Sequence, residues 1–130
     1  EFLDPIFSSG VMFATVSSHK ASELVVKKLN GEAVDWNTNY MQYLQKGVDT
    51  FRSYVMAWYD GTLEKIFFAN DPDQTIKRQI CSVLAGYVWD QSNPYVRDHH
   101  TALKRLAKMI DYRDKVQGTM LEERTITNND

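Results

Sequence analysis

The sequence predicts an all-α fold, a bundle of about five helices, and three observations support this prediction. Apolar residues recur at intervals of three and four over several long stretches, which is the period of a helix with one buried face. Capping residues and glycines separate these stretches, and no stretch shows the strict alternation of a half-buried strand. A chain of 130 residues, 43% of them hydrophobic, is long enough to bury one core.

The first helix is predicted from Ser9 to Leu29, because the periodic pattern there is followed by the stop signal Asn30-Gly31. Its apolar residues occupy more than one face, since Phe13 and Val16 lie off the main stripe. We therefore expect other structure to cover this helix on more than one side.

The second helix is predicted to be the longest, with Asp35 as its N-cap, and to run to about Tyr59, where Asp60-Gly61 ends it. Gly47 interrupts this helix at a cost of about 1 kcal/mol relative to alanine, which indicates a close contact or a slight bend. Its inward stripe is predicted to be Trp36, Tyr40, Leu44, Val48, Phe51, Val55 and Trp58.

A short apolar segment over residues 62–69 precedes a turn, and Asp73 is the predicted cap of a fourth helix over residues 73–89. Tyr87 is expected to point inward from this helix. Cys81 lies in mid-helix among apolar residues, so we expect it to be a small buried side chain.

The fifth helix is predicted to begin at Pro94, after the N-cap Asn93, and to end near Lys115. The helical pattern fades from Gly118 onward. Residues 119–130 are therefore predicted to be a mobile tail.

Charge and composition exclude several classes of partner. The 15 Lys and Arg residues and 17 Asp and Glu residues are interspersed and give a net charge of -2, which argues against a nucleic-acid partner. No apolar run approaches the roughly twenty residues of a membrane span. The single cysteine fits a reducing compartment, so a cytoplasmic location is expected.

The usual catalytic and metal-binding side chains do not form a site in the sequence. His99 is predicted on the inner seam of the fifth helix as a hydrogen-bonded packing residue, and the adjacent His100 would point about 100° away from it. The two rings are therefore not expected to share a metal ion, and no metal site is predicted. No catalytic residue is predicted within this chain.

The chemically most specific stretch is at the start, where residues 4–11 read Asp-Pro-Ile-Phe-Ser-Ser-Gly-Val and lead into the first helix. Ser8 or Ser9 can cap this helix, and Gly10 lets a ligand approach the backbone closely. The remaining N–H groups favour an anion, a phosphate or a ring carbonyl. Taken alone, the same pattern also fits a plain helix cap.

This stretch, together with residues 51–61 and 80–90, resembles FAD-dependent oxidoreductases of the flavin-dependent halogenase type, often labelled tryptophan halogenase-like. In that family such a loop and helix start contact the flavin ring, near the halide site. The family's Gly-rich nucleotide fingerprint, its Trp-x-Trp-x-Ile-Pro motif and its catalytic lysine are all missing here. The resemblance thus implies the C-terminal helical domain of a larger α/β FAD-binding protein, inactive on its own.

By the same resemblance, residues 1–31 would be the last flavin-contacting loop and helix, residues 32–118 the helical C-terminal domain, and residues 119–130 the tail. The full-length protein would use reduced FAD and O2 on an aromatic substrate, with a flavin reductase as partner. The implied contacts are Pro5, Phe7, Ser8, Ser9, Gly10 and Val11 for flavin, Ser9 and Gly10 for halide, and Trp58 and Tyr59 for substrate.

Two further expectations concern partners. If the sheet of a parent protein is missing, the isolated chain should self-associate through its first helix, with Phe13 or Val16 in the contact. The alternative to a flavoenzyme fragment is a stand-alone helical domain that binds a protein partner and has no catalytic function.

Overall fold

Regular structure is entirely helical in residues 9–70 and 73–127, the part of the chain that the computed structural model describes. The elements are α1 (Ser9–Leu29), a π-helical turn (Asn37–Met41), α2 (Gln42–Tyr59), α3 (Thr62–Phe67), α4 (Gln74–Leu84), α5 (Pro94–Arg97) and α6 (Ala102–Thr127). The all-α prediction is confirmed. Among these helices, none combines the length and the apolar character needed to cross a bilayer.

Three helical segments start where short polar side chains predicted a cap. The Oδ1 atoms of Asp35, Asp73 and Asn93 each accept a hydrogen bond from the backbone N–H two residues later, at 2.9, 2.7 and 2.9 Å. Each bond satisfies a donor that has no partner within the helix. The predicted stop after α2 is also confirmed, because Gly61 has a φ of 79° that other residues rarely adopt.

The second helix does not begin as predicted, because a π-helical turn precedes α2. A π-turn holds more residues than an α-turn, which changes the phase of the side chains before it relative to those after it. The predicted inward stripe is confirmed at Val48, Phe51 and Val55, which are buried. It is wrong at its two ends, since Trp36 and Trp58 are 40% and 38% exposed. The second helix is not the longest either, since α6 is longer.

The fourth helix ends at Leu84, five residues before the predicted end at Trp89. Gly86 has a φ of 105°, so the backbone leaves the helical path there. Tyr87 is consequently 67% exposed and Val88 takes the buried position, which corrects the expectation that Tyr87 points inward. The predicted burial of Cys81 is also wrong, since its position on α4 is exposed.

The predicted fifth helix is two helices separated by a turn. The N–H of Thr101 donates to the carbonyl of Asp98 at 2.9 Å between α5 and α6, which interrupts the continuous helix predicted from residue 94 to residue 115. α6 then continues past Gly118 to Thr127, so the predicted helix end near Lys115 is wrong. The mobility of residues 119–130 stays a prediction, and residues 128–130 lie outside the described part.

The core lies between α2, α3, α4, α5 and the first half of α6, which contributes Leu103, Ala107 and Ile110. Tyr54, Leu63, Ile80 and Val83 are each 0% exposed. The hydroxyl of Tyr54 donates to the carbonyl of Tyr95 at 3.0 Å and thereby joins α2 to α5. Burial, followed by the nearby Tyr95, raises the pKa of Tyr54, as expected for a phenol removed from water.

α1 is attached to this core by a group of residues that we call the Trp89 cluster: Phe13, Tyr43, Gly47, Phe51 and Trp89. The ring of Phe13 meets the rings of Phe51 and Trp89 edge-on at centroid distances of 6.1 and 6.0 Å. Trp89 stacks on Tyr43 at 5.0 Å, and its Nε1 donates to the carbonyl of Tyr43 at 2.8 Å. These contacts fix the first half of α1.

Gly47 makes this arrangement possible. A Cβ at this position would overlap the Trp89 ring, so only glycine lets the indole approach the backbone of α2. The close contact predicted from the mid-helix glycine is therefore confirmed, although its partner is a side chain rather than a neighbouring helix backbone.

Candidate functional site

The start of α1 carries an unsatisfied polar group. Ser9 is only 1% exposed, and its Oγ has no hydrogen-bond partner among the described atoms. The next residues are open: Gly10 is exposed, Val11 is 73% exposed, and nothing lies within 4 Å of a Cβ added to Gly10. The first turn holds no acidic side chain that would offset the positive end of the helix dipole.

A groove, which we call the N-terminal groove, runs beside this helix start and has a volume of about 350 Å³. α1 contributes Gly10 and Phe13 to its wall, and the π-helical turn contributes Tyr40 and Met41. Turns of this kind are frequent at functional sites because they place side chains off the regular helical path. The sequence analysis assigned Tyr40 to the inward stripe and did not predict its place in this groove.

Backbone donors and an apolar groove together suit a flat molecule with a polar edge. The first N–H groups of any α-helix have no partner within the helix, and at α1 they are accompanied by the Ser9 hydroxyl. Phe13, Leu44 and Val48 supply apolar walls next to them. The arrangement can hold an anion or a ring carbonyl at the helix start and an apolar ring in the groove.

The predicted flavin and halide contacts are described only in part. Ser9, Gly10 and Val11 form the first turn of α1, at the predicted place. Pro5, Phe7 and Ser8 lie outside the described residues. The halide assignment to Ser9 and Gly10 stays a prediction.

The predicted substrate residues lie elsewhere. Trp58 and Tyr59 are at the C-terminal end of α2, 38% and 65% exposed, whereas Val48 in the first half of α2 lines the N-terminal groove. Ten residues of helix separate Val48 from Trp58, which corresponds to about 15 Å. The structure does not bring this pair to the groove, and a role in substrate binding stays a prediction.

A second cleft, on the other flank of α1, was not predicted. Val16 and His19 of α1 line it together with Tyr43, Tyr87 and Trp89, and its volume is about 490 Å³. Burial, with a smaller contribution from Glu23, raises the pKa of Tyr43. Only a signal that paired Tyr43 with the distant Trp89 could have revealed this cleft from the sequence.

His99 is the half-buried histidine of the turn between α5 and α6. Its Nδ1 lies 2.7 Å from the Oγ of Ser53, which links the turn to α2. Burial, and then the neighbouring His100, lower the pKa of His99, while Asp49 opposes this shift. His99 is thus hydrogen-bonded, as expected, but it lies in a turn and not on a helical seam.

The geometry of the two histidines corrects another expectation. The rings of His99 and His100 are 3.9 Å apart between centroids, because the turn does not separate adjacent side chains as a helix does. Across the described ranges, no group of three His, Cys, Asp or Glu side chains is arranged to hold a metal ion.

The comparisons with known proteins find a similar fold within a larger chain. A crystal structure of a flavoprotein/dehydrogenase from Cytophaga hutchinsonii matches with a TM-score of 0.82 and 55% sequence identity. The match covers 88% of this chain but only 28% of that chain. The chain is similar to one part of a flavoprotein. No protein-family model and no curated protein matches the sequence.

Proposed function

We propose that this chain is the C-terminal helical part of an FAD-dependent oxidoreductase that resembles the flavin-dependent halogenases. Two independent observations support the proposal. The Asp-Pro-Ile-Phe-Ser-Ser-Gly-Val stretch resembles a flavin loop, and a larger flavoprotein/dehydrogenase shares 55% identity over most of this chain. A cytoplasmic location, inferred from the single cysteine, belongs to the same proposal.

The observation that carries the proposal is the buried, unpartnered hydroxyl of Ser9. A buried hydroxyl without a partner costs about 1 to 3 kcal/mol, and at a helix start such a hydroxyl suits a polar ligand. In our proposal the Ser9 Oγ and the N–H groups of Gly10 and Val11 donate to one edge of the flavin ring or to a halide. Gly10 permits close approach because it has no side chain.

The cofactor would supply the oxidising chemistry, since reduced FAD activates O2. The residues of this chain would bind the flavin ring and orient the substrate beside it. Phe13 and Tyr40 of the N-terminal groove offer faces and edges to an aromatic substrate, and the apolar walls keep water away from it. Halogenation, hydroxylation and plain oxidation of the substrate are all compatible with this arrangement, because the deciding lysine would lie upstream.

The test uses the full reading frame that contains this chain. Purified from it, the protein should be yellow, and Gly10→Leu should lower its flavin content. The same substitution should leave the melting temperature of the 130-residue chain nearly unchanged, because no described atom lies within 4 Å of the added Cβ. Gly118→Ala, on exposed helix far from α1, is the matched control and should retain flavin.

Two assays of the yellow protein separate the possible reactions. Reduced flavin, O2, bromide and an indole substrate should give a brominated product if the parent is a halogenase. Anaerobic reduction of the bound flavin by a substrate would instead indicate a dehydrogenase. A colourless full-length protein without a glycine-rich fingerprint would contradict the proposal and favour the stand-alone helical interaction domain.

The 130-residue chain alone should not hold FAD, because the start of α1 contacts only one end of such a cofactor. A flavin titration followed by fluorescence should show no tight binding. A stoichiometric complex would mean that this chain contains more of the flavin site than we propose.

We also propose that the isolated chain self-associates through the outer face of α1. Val11, Val25, Val26 and Leu29 are 73%, 45%, 55% and 81% exposed. Of the two residues expected in this contact, Phe13 or Val16, Phe13 is 8% exposed in the Trp89 cluster and Val16 lines the second cleft, so we propose the exposed outer residues of α1 as the contact instead. In sedimentation, Val26→Asp with Leu29→Asp should therefore shift a dimer toward monomer. A wild-type monomer at micromolar concentration would contradict this.

A further inference from the structure

A third cavity, which we call the α4–α6 cavity, lies between α3, α4 and α6 and has a volume of about 250 Å³. Its floor is apolar: Ile66 and Ile110 are 4% and 9% exposed, and Ile76 and Leu106 are partly buried beside them. No residue of α1 lines this cavity, so it is separate from the proposed flavin site.

Two half-buried cations stand at the mouth of the α4–α6 cavity, Lys77 from α4 and Arg113 from α6. Lys77 Nζ lies 6.0 Å from the centroid of the Phe67 ring, and within the described part of the chain no carboxylate forms an ion pair with it. The Nη2 of Arg113 lies 3.1 Å from the Oδ1 of Asp114 on its own helix, and its guanidinium is the second cation that lines the cavity.

Within the described part of the chain, the acidic residue that lines the cavity is Asp73, and one oxygen of its carboxylate is already engaged. Asp73 Oδ1 accepts the N–H groups of Thr75 and Ile76 at 2.7 and 3.1 Å, so its charge is directed into the start of α4. The mouth therefore favours a negative group, while the floor favours an apolar one.

We propose that the α4–α6 cavity binds a small amphiphilic carboxylate. Its apolar body lies on Ile66 and Ile110, and its carboxylate lies between Lys77 and Arg113. The volume corresponds to that of about eight water molecules at ~30 Å³ each, which suits a medium acyl chain or a small aromatic ring system. Met109 also lines the cavity and is 68% exposed, and its flexible side chain can adapt to an acyl chain or to an aromatic ring.

The ligand test uses four probes of matched size and different charge. Titration of the 130-residue chain by NMR should show binding of octanoate or indole-3-acetate, with shifts at Ile66 and Ile110. Octanol should bind at least about tenfold more weakly, because it lacks the charge-assisted bonds, and octylamine should not bind. If only octanoate binds, the preferred ligand is an acyl acid. If only indole-3-acetate binds, it is an aromatic acid. Binding of neither acid, or equal affinity for octanoate and octanol, would overturn the proposal.

Variants locate the site. Lys77→Gln should weaken octanoate binding about tenfold, whereas the matched control Lys108→Gln, an exposed lysine of α6 outside the cavity, should not change it. Ala69→Phe should abolish binding by filling the cavity, and Ala69→Leu gives a smaller filling variant if the first does not fold. Equal affinities for Lys77→Gln and Lys108→Gln would show that the acid binds elsewhere.

Discussion

The two sides of α1 are packed very differently. On the inner side, Phe13 is 8% exposed and meets Phe51 and Trp89 edge-on. On the outer side, Val11 and Leu29 are 73% and 81% exposed. One helix therefore has a face that its own chain covers and an apolar face that nothing in the described part covers, which is the pattern expected of a helix lying between two layers.

The inner face of α1 contributes to the stability of this chain, whereas the outer face is available for contact with another domain or another copy of the chain. The inner face is part of the core and should be sensitive to any change of volume. The outer face contributes little to folding of the isolated chain, so its apolar residues need another explanation. The proposed flavin domain, or a second copy of the chain, supplies one.

The largest expected effect is therefore on the inner face. Phe13→Ala should lower the free energy of unfolding by about 3 to 5 kcal/mol, because it leaves a cavity in the Trp89 cluster. Leu29→Ala, on the outer face, should change it by no more than about 0.5 kcal/mol. Urea denaturation of both variants measures the two values. Similar losses would mean that the two faces do not differ as described.

The next effect tests how tightly Trp89 lies on α2. Gly47→Ala should destabilise the chain by about 1 to 3 kcal/mol, because the new Cβ would overlap the indole and force it to move. Gly118→Ala, on a helix with open space around it, should instead stabilise by up to about 1 kcal/mol. Thermal unfolding should show a lower melting temperature for Gly47→Ala and a higher one for Gly118→Ala. Stabilisation by both substitutions would contradict the close contact.

A smaller effect is expected at the core hydrogen bond between α2 and α5. Tyr54→Phe leaves the buried carbonyl of Tyr95 without this donor and should cost about 1 to 2 kcal/mol. Tyr112→Phe, on an exposed position of α6, is the control and should be neutral. If chemical denaturation gives the same midpoint for both variants, the bond does not contribute to stability.

The smallest effect concerns pH. Because the pKa of His99 is lowered in the folded chain, the unfolded chain takes up a proton first as the pH falls through the ordinary histidine value of about 6.5. Stability from neutral His99 is thus present above that value and is lost as the pH falls toward the lower folded pKa. Melting curves between about pH 8 and about pH 5 should decline more steeply for the wild type than for His99→Gln.

The exposed His19 of α1 gives the control for this measurement. Its side chain is 75% exposed, so His19→Gln should keep the wild-type slope. If His19→Gln changes the slope of melting temperature against pH and His99→Gln does not, the pH dependence arises at the surface of α1 and the prediction for His99 is wrong.

Local signals were sufficient for much of the fold. The bounds of α1 and the caps at Asp35, Asp73 and Asn93 were predicted correctly, because a short polar side chain bonds to backbone only two residues away. The apolar period also placed Val48 in the core. Such features depend only on neighbouring residues.

The predictions were wrong where contacts between residues distant in sequence determine the structure. Gly86 stops α4 although the apolar pattern continues through it, and the Cγ of Met12 lies 3.1 Å from where its Cβ would be. Trp89 belongs over Gly47 rather than on a fourth helix, and a periodic pattern cannot show this contact between α2 and a later loop. The N-terminal groove was missed for the same reason, since it needs α1 and the π-helical turn side by side.

The Trp89 cluster also imposes an order on events during synthesis. α1 is synthesised before α2, α3 and α4, whereas Trp89 is made only after them. Phe13 therefore stays without its native indole contact while residues 14–88 are translated, and apolar surface on a nascent helix is a site for chaperones or for premature association. Because the contact joins residues far apart in sequence, its closure is expected among the late steps of folding.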